Sequence, residues 1–127
     1  MNIFSLSESK RTPEIVFNLE TGELIFNGNS TPEDVNLFYA PLLSWIEINK
    51  TLIVTDIKLL SVHINLVYFN SATLKFLVSL LKYLIVLKGS DSLAIIWSYD
   101  AEDEDMVETA KDISKVLSIP IKLVVKE

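Results

Sequence analysis

The stretch that decides the fold runs from Leu60 to Lys75, "LSVHINLVYFNSATLK". Apolar and polar residues alternate through its first half, and this period of two predicts a β-strand with one covered face. The second face is polar, which indicates a sheet with helices packed on one side only. The residues expected to face the core are Leu60, Val62, Ile64, Leu66 and Tyr68, and those expected on the polar face are Ser61, His63 and Asn65.

A helix is predicted to follow this strand at once and to run to about Lys88. Asn70 or Ser71 can cap its first turn, because a side-chain oxygen there accepts a backbone N–H that has no partner inside the helix. Gly89 then ends the helix, since glycine readily adopts the left-handed conformation found at helix ends. The apolar part, Leu74 to Leu87, is too short to cross a bilayer, and its wide apolar surface allows a homodimer contact.

Two short strands and a helix are predicted before this unit. The strands, Glu14 to Asn18 and Glu23 to Gly28, flank a glycine-containing turn and form a hairpin. Ser30 and Glu33 have the spacing of a capping box, so we expect the next helix to begin there. The segment from Asn49 to Lys58 follows neither period clearly and is predicted to be a connector.

A further strand, a helix and a last strand are predicted after the unit. The strand covers Ser92 to Tyr99, and the last strand begins at Ile121, after Pro120 has stopped the helix. The order β-β-α-β-α-β-α-β predicts one α/β domain with a mixed, mostly parallel five-stranded sheet and with its helices mainly on one face. The apolar face of the last helix consists of Met106, Ala110, Ile113 and Leu117.

The composition fits one small domain and excludes several classes of protein. The 127 residues, 50% of them hydrophobic, are expected to form a single domain over 1–127, with 1–10 flexible. A net charge of -6 disfavours nucleic acid or an anionic membrane as a partner. The lack of cysteine excludes a disulfide scaffold and a thiolate metal site. The N-terminus does not read as a signal peptide, so we expect the protein in the cytoplasm.

Residues for catalysis are scarce. The 3 glycines are too few for the phosphate-binding loops of nucleotide enzymes, and His63 is the only histidine. We therefore expect no cofactor, no metal site and no enzyme activity. The alternative is a small ligand-binding or enzymatic domain that uses the polar face of the strand, around Ser61, His63 and Asn65.

An acidic run follows the fourth predicted strand. Carboxylates suit the first turn of a helix, where the macrodipole is positive, and they also suit a metal ion or a basic partner. The spacing lacks the glycine and the final glutamate of a calcium-binding loop. The run, for which these alternatives stay open, consists of Asp100, Glu102, Asp103, Glu104 and Asp105.

The hydroxyl groups at the strand-to-helix junction have two potential uses. Ser71 and Thr73 fall in the first turn of the helix, where a hydroxyl oxygen can accept an unpaired backbone N–H. The same place favours a phosphate, because unpaired N–H groups, the positive end of the dipole and Lys75 would all face it. Position alone allows either a cap or a modification site.

Four stretches, in this order, resemble the SiaC family of bacterial regulatory phosphoproteins, which are similar to the anti-sigma-factor antagonist (STAS-type) fold. They are "RTPEIVFNLETGELIFNGNSTPE", "FYAPLLSWIE", "VYFNSATLKFL" and "WSYDAEDEDMVE". In that family the first hydroxyl after the asparagine that ends the strand is phosphorylated. The resemblance carries this role to Ser71, which directly follows Asn70. Serine stands for the usual threonine and Ala72 for a serine, so Thr73 is the alternative acceptor.

The resemblance also implies a function. A serine/threonine kinase of the histidine-kinase-like ATPase fold phosphorylates such a protein, and a PP2C-type phosphatase reverses the modification. The unmodified form binds and activates a diguanylate cyclase, so the protein is a non-catalytic adaptor in cyclic-di-GMP signalling. We expect partners to contact Asn70, Ser71, Ala72, Thr73 and Lys75, together with Asp100, Glu102, Asp103 and Asp105.

Overall fold

The computed structural model describes residues 2–126, and these form six strands, four α-helices and one short 3₁₀ turn. In chain order the elements are β1 (Ile3–Leu6), β2 (Glu14–Asn18), β3 (Glu23–Ser30), α1 (Val35–Ile48), α2 (Lys50–Asp56), β4 (Leu60–Phe69), α3 (Ser71–Lys88), the 3₁₀ turn Ser90–Ser92, β5 (Leu93–Asp100), α4 (Glu104–Leu117) and β6 (Ile121–Lys126).

All the strands lie in one sheet, and their order across the sheet is their order along the chain. β1, β2 and β3 are antiparallel to one another, whereas β3, β4, β5 and β6 are parallel. A helical crossover joins each parallel pair, and right-handed crossovers in a steadily advancing sheet bring all the helices to one face. The predicted α/β class and the mixed, mostly parallel sheet are confirmed.

One core lies between this face of the sheet and the helices. Leu60, Val62 and Ile64 are fully buried, as their alternation predicts. The largest fully buried side chains include Trp97 and Tyr39, and the Tyr39 ring stacks on Phe76 with the ring centroids 4.0 Å apart. The core therefore joins the central strands to α1 and α3.

The predicted number of five strands was wrong, because residues 2–126 contain one more. β1 pairs with β2 from Ile3↔Asn18 to Leu6↔Ile15, inside the segment 1–10 that was expected to be flexible. Phe4 and Leu6 pack against the core. A run of four residues is too short to show a period, so no strand could be predicted there. Met1 lies outside the described residues.

The predicted start of α1 at Ser30 was also wrong. Ser30 is the last residue of β3, where it pairs with Phe69 of β4. α1 begins at Val35, and the Asp34 carboxylate caps it by accepting a hydrogen bond from the backbone N–H of Leu37 at 3.0 Å. An aspartate four residues after Ser30 thus has the capping role that the sequence analysis assigned to the serine.

The predicted connector between Asn49 and Lys58 contains the short helix α2. Its carboxyl end is closed by Lys88 of α3, whose Nζ donates hydrogen bonds to the backbone oxygens of Ile53, at 3.1 Å, and of Ile57. Seven residues form too few helical turns to display a clear apolar stripe. None of the helices in residues 2–126 combines the length and the hydropathy that crossing a membrane requires.

The end of β4 departs from the predicted alternation. Leu66 pairs with Gly28 of β3, but the next β3 residue pairs with Tyr68, so Val67 is the extra residue of a β-bulge. A bulge shifts the alternation by one position. Tyr68, which was predicted to face the core, is therefore 63% exposed, and Phe69 points inward against Trp97.

Candidate functional site at the start of helix α3

The junction between β4 and α3 is capped by Asn70. Its backbone is extended, and its Oδ1 accepts a hydrogen bond from the backbone N–H of Thr73 at 2.8 Å. Asn70, not Ser71, is therefore the capping residue. Ser71 is the first residue of α3, its side chain is exposed, and no hydrogen bond of its hydroxyl is found within residues 2–126.

Thr73 has the opposite environment, because it is completely buried. Its Oγ1 donates a hydrogen bond to the backbone oxygen of Ser30 at 3.0 Å and lies 2.9 Å from the Ser30 Oγ. The Ser30 Oγ lies 2.7 Å from the Tyr39 hydroxyl. We call Ser30, Tyr39 and Thr73 the hydroxyl network. One hydrogen-bond direction satisfies it: Tyr39 donates to Ser30 Oγ, Ser30 Oγ to Thr73 Oγ1, and Thr73 Oγ1 to the Ser30 carbonyl.

The hydroxyl network is electrically neutral. The pKa of Tyr39 is raised to about 12, because burial raises it by more than the hydrogen bond with Ser30 lowers it. A second hydrogen bond joins Ser30 to the junction: the backbone N–H of Asn70 donates to the Ser30 carbonyl oxygen at 3.1 Å. The first turn of α3 is thus fixed to the end of β3, with Ser71 pointing outward and Thr73 pointing inward.

A groove with a volume of about 570 Å³ runs between α1 and α3, and Ser71 is not among its lining residues. Ala72 and Lys75, both exposed, line it from α3, and Glu33 and Asp34 line it from the start of α1. Lys75, one helical turn after Ser71, therefore lines the same groove as two carboxylates. The remaining lining residues are Val35, Asn36, Leu43, Phe76, Ser79, Leu80 and Tyr83.

One residue of the acidic run has a structural role. Asp103 caps α4, and its carboxylate accepts a hydrogen bond from the backbone N–H of Met106 at 3.1 Å. Asp105 and Asp103 also line a hollow of about 220 Å³ together with Tyr68 at the end of β4. Asp100 and Glu102 do not line it. Within residues 2–126, no group of three or more acidic, histidine or cysteine side chains is arranged to hold a metal ion.

Sequence reasoning missed Val67 and Tyr68 as surface residues of this region. They are 54% and 63% exposed, and both line the hollow beside the start of α4. The signal was available, because four successive apolar residues, Leu66 to Phe69, interrupt a strict alternation. Such an interruption at the end of a strand is typical of a bulge.

The polar side chains of β4 contact polar side chains of the neighbouring strand β3. His63 Nε2 lies 3.4 Å from the Glu23 carboxylate, and this contact does not meet the geometry of a hydrogen bond. Asn65 donates to the Asn27 side chain at 2.9 Å, and Asn27 donates to the Glu14 carboxylate at 3.1 Å. The predicted alternative site thus consists of half-buried polar residues, several of which form a row of contacts across three strands.

The fold and the junction define a class: a one-sided α/β domain that presents an exposed serine at the first position of a helix. The family model described as SiaC family regulatory phosphoprotein matches residues 6–126. The chain therefore belongs to the SiaC family, and the resemblance noted in the sequence is confirmed.

Relatives with similar sequences and structures come from Pseudomonas aeruginosa. An uncharacterized protein of strain UCBPP-PA14 is 23% identical over 124 residues, which are 97% of this chain and 96% of that protein. The crystal structure of apo-SiaC matches with a TM-score of 0.83 at 21% identity and covers 98% of this chain and 99% of its own. SiaC in complex with the diguanylate cyclase SiaD, for which it is described as the activator, matches with a TM-score of 0.83 at 21% identity, covering 97% and 99%. At these identities the solved structures establish a shared fold.

Proposed function

We propose that this protein is a non-catalytic signalling adaptor of the cytoplasm that binds a partner protein while Ser71 is unmodified and releases it when Ser71 carries a phosphate. The observation that carries the proposal is the contrast at the junction. Ser71 is exposed and is not needed as the cap, whereas Thr73 is completely buried within the hydroxyl network. A kinase can reach the first hydroxyl in the folded protein but not the second.

A phosphate on Ser71 would be stable and effective. The unpaired N–H groups of the first turn and the positive end of the helix dipole favour an anion there, and Lys75 lies one turn further along α3. The phosphate adds between about 1.5 and 2 negative charges at pH 7. Because Glu33 and Asp34 already line the groove together with Lys75, the modification would make the surface around the start of α3 more negative.

The proposed modification is phosphoryl transfer from ATP to the Ser71 Oγ. The Oγ forms a bond with the γ-phosphorus as the bond to the ADP oxygen breaks, and the hydroxyl proton passes to a base of the kinase. Family resemblance supports a kinase of the histidine-kinase-like ATPase fold for this step and a PP2C-type phosphatase for its reversal. The adaptor supplies the acceptor hydroxyl and the structure that presents it.

We propose a diguanylate cyclase as the partner. The solved complex of SiaC of Pseudomonas aeruginosa with the cyclase SiaD supports this choice, since the two chains share a fold over nearly their whole length. The surface proposed for contact consists of the exposed part of the junction, Ser71, Ala72 and Lys75, with Asp103 and Asp105 beside Tyr68. Asn70 and Thr73 hold this surface in shape.

The first experiment maps the acceptor. The protein is incubated with ATP and the cognate kinase from the same genome, and phosphate incorporation is measured by mass spectrometry. Ser71→Ala should abolish most of the incorporation, and Ser71→Thr should retain it. Ser90→Ala, the same change at another exposed serine, is the matched control and should be labelled like the wild type. Unchanged labelling of Ser71→Ala would refute the assignment.

The second experiment measures partner binding. A diguanylate cyclase from the same genome is titrated with wild type, Ser71→Ala and Ser71→Asp, and both binding and cyclase activity are recorded. The wild type and Ser71→Ala should bind and activate the enzyme, whereas Ser71→Asp should bind more weakly because it carries a negative charge at the junction. Equal binding by all three would argue against a charge-controlled switch at this residue.

A further inference from the structure

β6 forms one edge of the sheet. It pairs in parallel with β5, from Ile95↔Ile121 to Asp100↔Lys126, and no other strand of residues 2–126 lies beside it. Some of its backbone N–H and C=O groups point away from β5, because these groups alternate between the two sides of a strand. An edge of this kind can accept one more strand.

A groove adjoins this edge on the helix-bearing face. It has a volume of about 250 Å³ and lies between α4 and β6. Ile121 and Leu123 face it and are only half-buried, and Val125, the next residue of the same row, is 45% exposed. The edge therefore offers unpaired backbone groups beside a partly apolar surface. The groove is lined by Ala110, Lys111, Ser114, Lys115, Ile121 and Leu123.

The charged side chains that line the groove and those that belong to β6 are all positive, although the protein is negative overall. The chain has a net charge of -6, yet Lys111 and Lys115 line the groove, and Lys122 and Lys126 lie on the other face of β6. Lys126 is the register partner of Asp100. Lys111, Lys115 and Lys122 form no ion pair with any other residue of 2–126.

We propose that β6 binds an extended acidic segment of a partner protein, which adds a strand to the sheet. The side chains of such a segment alternate between two faces. Its apolar side chains on one face pack over Ile121 and Leu123, and carboxylates at the rim of the groove pair with Lys111 and Lys115. This site lies on other elements than Ser71, so it is a separate interaction from the proposed phosphorylation switch.

A second copy of this chain would bring the same lysines to the edge, and in one register they would face each other directly. Two β6 strands that paired across a two-fold axis centred on Val124 would place Lys122 opposite Lys126 of the other copy. Like charges directly opposite each other destabilise a strand pair. An acidic partner replaces this repulsion with attraction.

The test uses a peptide of the length of β6, six residues, in which leucine and glutamate alternate, with blocked termini and a fluorescent label. Fluorescence anisotropy with the full chain should show saturable binding that weakens as salt is added. Lys111→Glu/Lys115→Glu should bind the peptide about tenfold more weakly. Lys58→Glu/Lys82→Glu makes the same change of charge at exposed lysines elsewhere and should bind like the wild type. Circular dichroism confirms that each variant is folded.

Peptides that are N-methylated at alternate residues, in each of the two phases, test the backbone pairing. Methylation removes N–H donors but keeps the side chains and the charge. At least one phase should lose binding. The proposal would be overturned if both methylated peptides bound as tightly as the original peptide, if the control double variant lost as much affinity as Lys111→Glu/Lys115→Glu, or if the original peptide did not bind. In the last case the lysines serve only to keep the edge unpaired.

Discussion

Three hydroxyl groups inside the protein hold the first turn of α3 in place. The hydroxyl network joins the end of β3, the middle of α1 and the start of α3 through hydrogen bonds of 2.7 to 3.0 Å. All three of its residues are fully buried. A buried hydroxyl that loses its partner costs roughly 1–3 kcal/mol, so the network favours a single arrangement of the junction.

Stability at high pH should depend on Tyr39. Its pKa is raised from 10.0 to about 12, so the folded state holds the proton more tightly than the unfolded state does. The resulting stability is fully present below pH 10.0 and is lost as the pH rises towards about 12. As the pH rises from 9 towards about 12, the free energy of unfolding of the wild type should fall by about 2–3 kcal/mol more than that of Tyr39→Phe. Urea unfolding of both proteins across this pH range measures the difference.

Tyr83 provides the internal control for that comparison. Its hydrogen bond to Glu47 raises its pKa as well, but this side chain is present in both proteins. Parallel stability curves for the wild type and Tyr39→Phe would contradict the prediction.

The members of the network should act as a unit. Tyr39→Phe keeps the ring that stacks on Phe76, and Thr73→Val keeps the shape of the side chain. Each should lower the free energy of unfolding at pH 7, by about 0.5–1.5 kcal/mol for Tyr39→Phe and about 1–3 kcal/mol for Thr73→Val. Because both contact Ser30, the double variant should deviate from additivity by at least about 0.5 kcal/mol in chemical denaturation. Additive effects would mean that the contacts are independent.

The two junction hydroxyls show what a sequence can reveal about a residue. Ser71 and Thr73 both fall in the first turn, and spacing alone gave them equal access to a cap or a modification role. The contact that buries Thr73 comes from Ser30, 43 residues earlier in the chain. No local pattern encodes a pairing over that distance, so the structure was needed to separate the two hydroxyls.

At the scale of elements, Lys88 joins the end of α3 to the end of α2. Its ammonium group donates to backbone oxygens of the last turn of α2 and of Ile57, which follows it. These oxygens have no partner within the helix, and the dipole makes that end negative. A helix of seven residues has few hydrogen bonds of its own, so this contact from a neighbour contributes much to its stability.

Loss of the Lys88 charge should therefore loosen α2. Lys88→Met should lower the free energy of unfolding by about 1.5–3 kcal/mol, the usual range for a hydrogen bond to a charged group. Native-state hydrogen exchange should show faster exchange in α2. Lys82→Met, the same change at an exposed lysine of the same helix, should have almost no effect. If both variants lost a similar amount of stability, the effect would come from the overall charge of the protein and not from the contact of Lys88 with α2.

The elements that the sequence predicted well are those with a long and unbroken period. β4 was correct as far as Leu66, because alternation over seven residues leaves little choice of face. The prediction failed at Val67, where one inserted residue reversed the direction of the next side chain. α2 was missed for a different reason, since a tertiary contact stabilises a segment whose own pattern is weak.

At the scale of the molecule, charge should govern the proposed switch. The chain already carries -6, and a phosphate on Ser71 makes it more negative at the start of α3. Screening lengths shrink from about 10 Å at 0.1 M salt to about 3 Å at 1 M. If the phosphate acts by repulsion, the difference in cyclase affinity between modified and unmodified protein should narrow as salt rises. Calorimetric titrations of the cyclase at low and high salt measure this difference in affinity. If the difference stays constant as salt rises, the phosphate blocks binding sterically.

The order of elements and the one-sided sheet were readable from the sequence because both follow from hydrophobic periods and from the handedness of crossovers. The two edge strands of the sheet were harder to predict. β1 was too short to give a signal, and β6 is exposed because no second strand of residues 2–126 lies beside it, which no pattern within the strand records.

The order of the strands bears on how the protein is made. Because each strand pairs with the one that precedes it in the chain, every new strand emerging from the ribosome finds its neighbour already synthesised. The antiparallel pairings of β1 with β2 and of β2 with β3 close short loops, whereas each parallel pairing closes a crossover that contains at least one whole helix. The elements that hold the junction, β3, α1 and α3, are therefore all synthesised before β5, α4 and β6 complete the sheet.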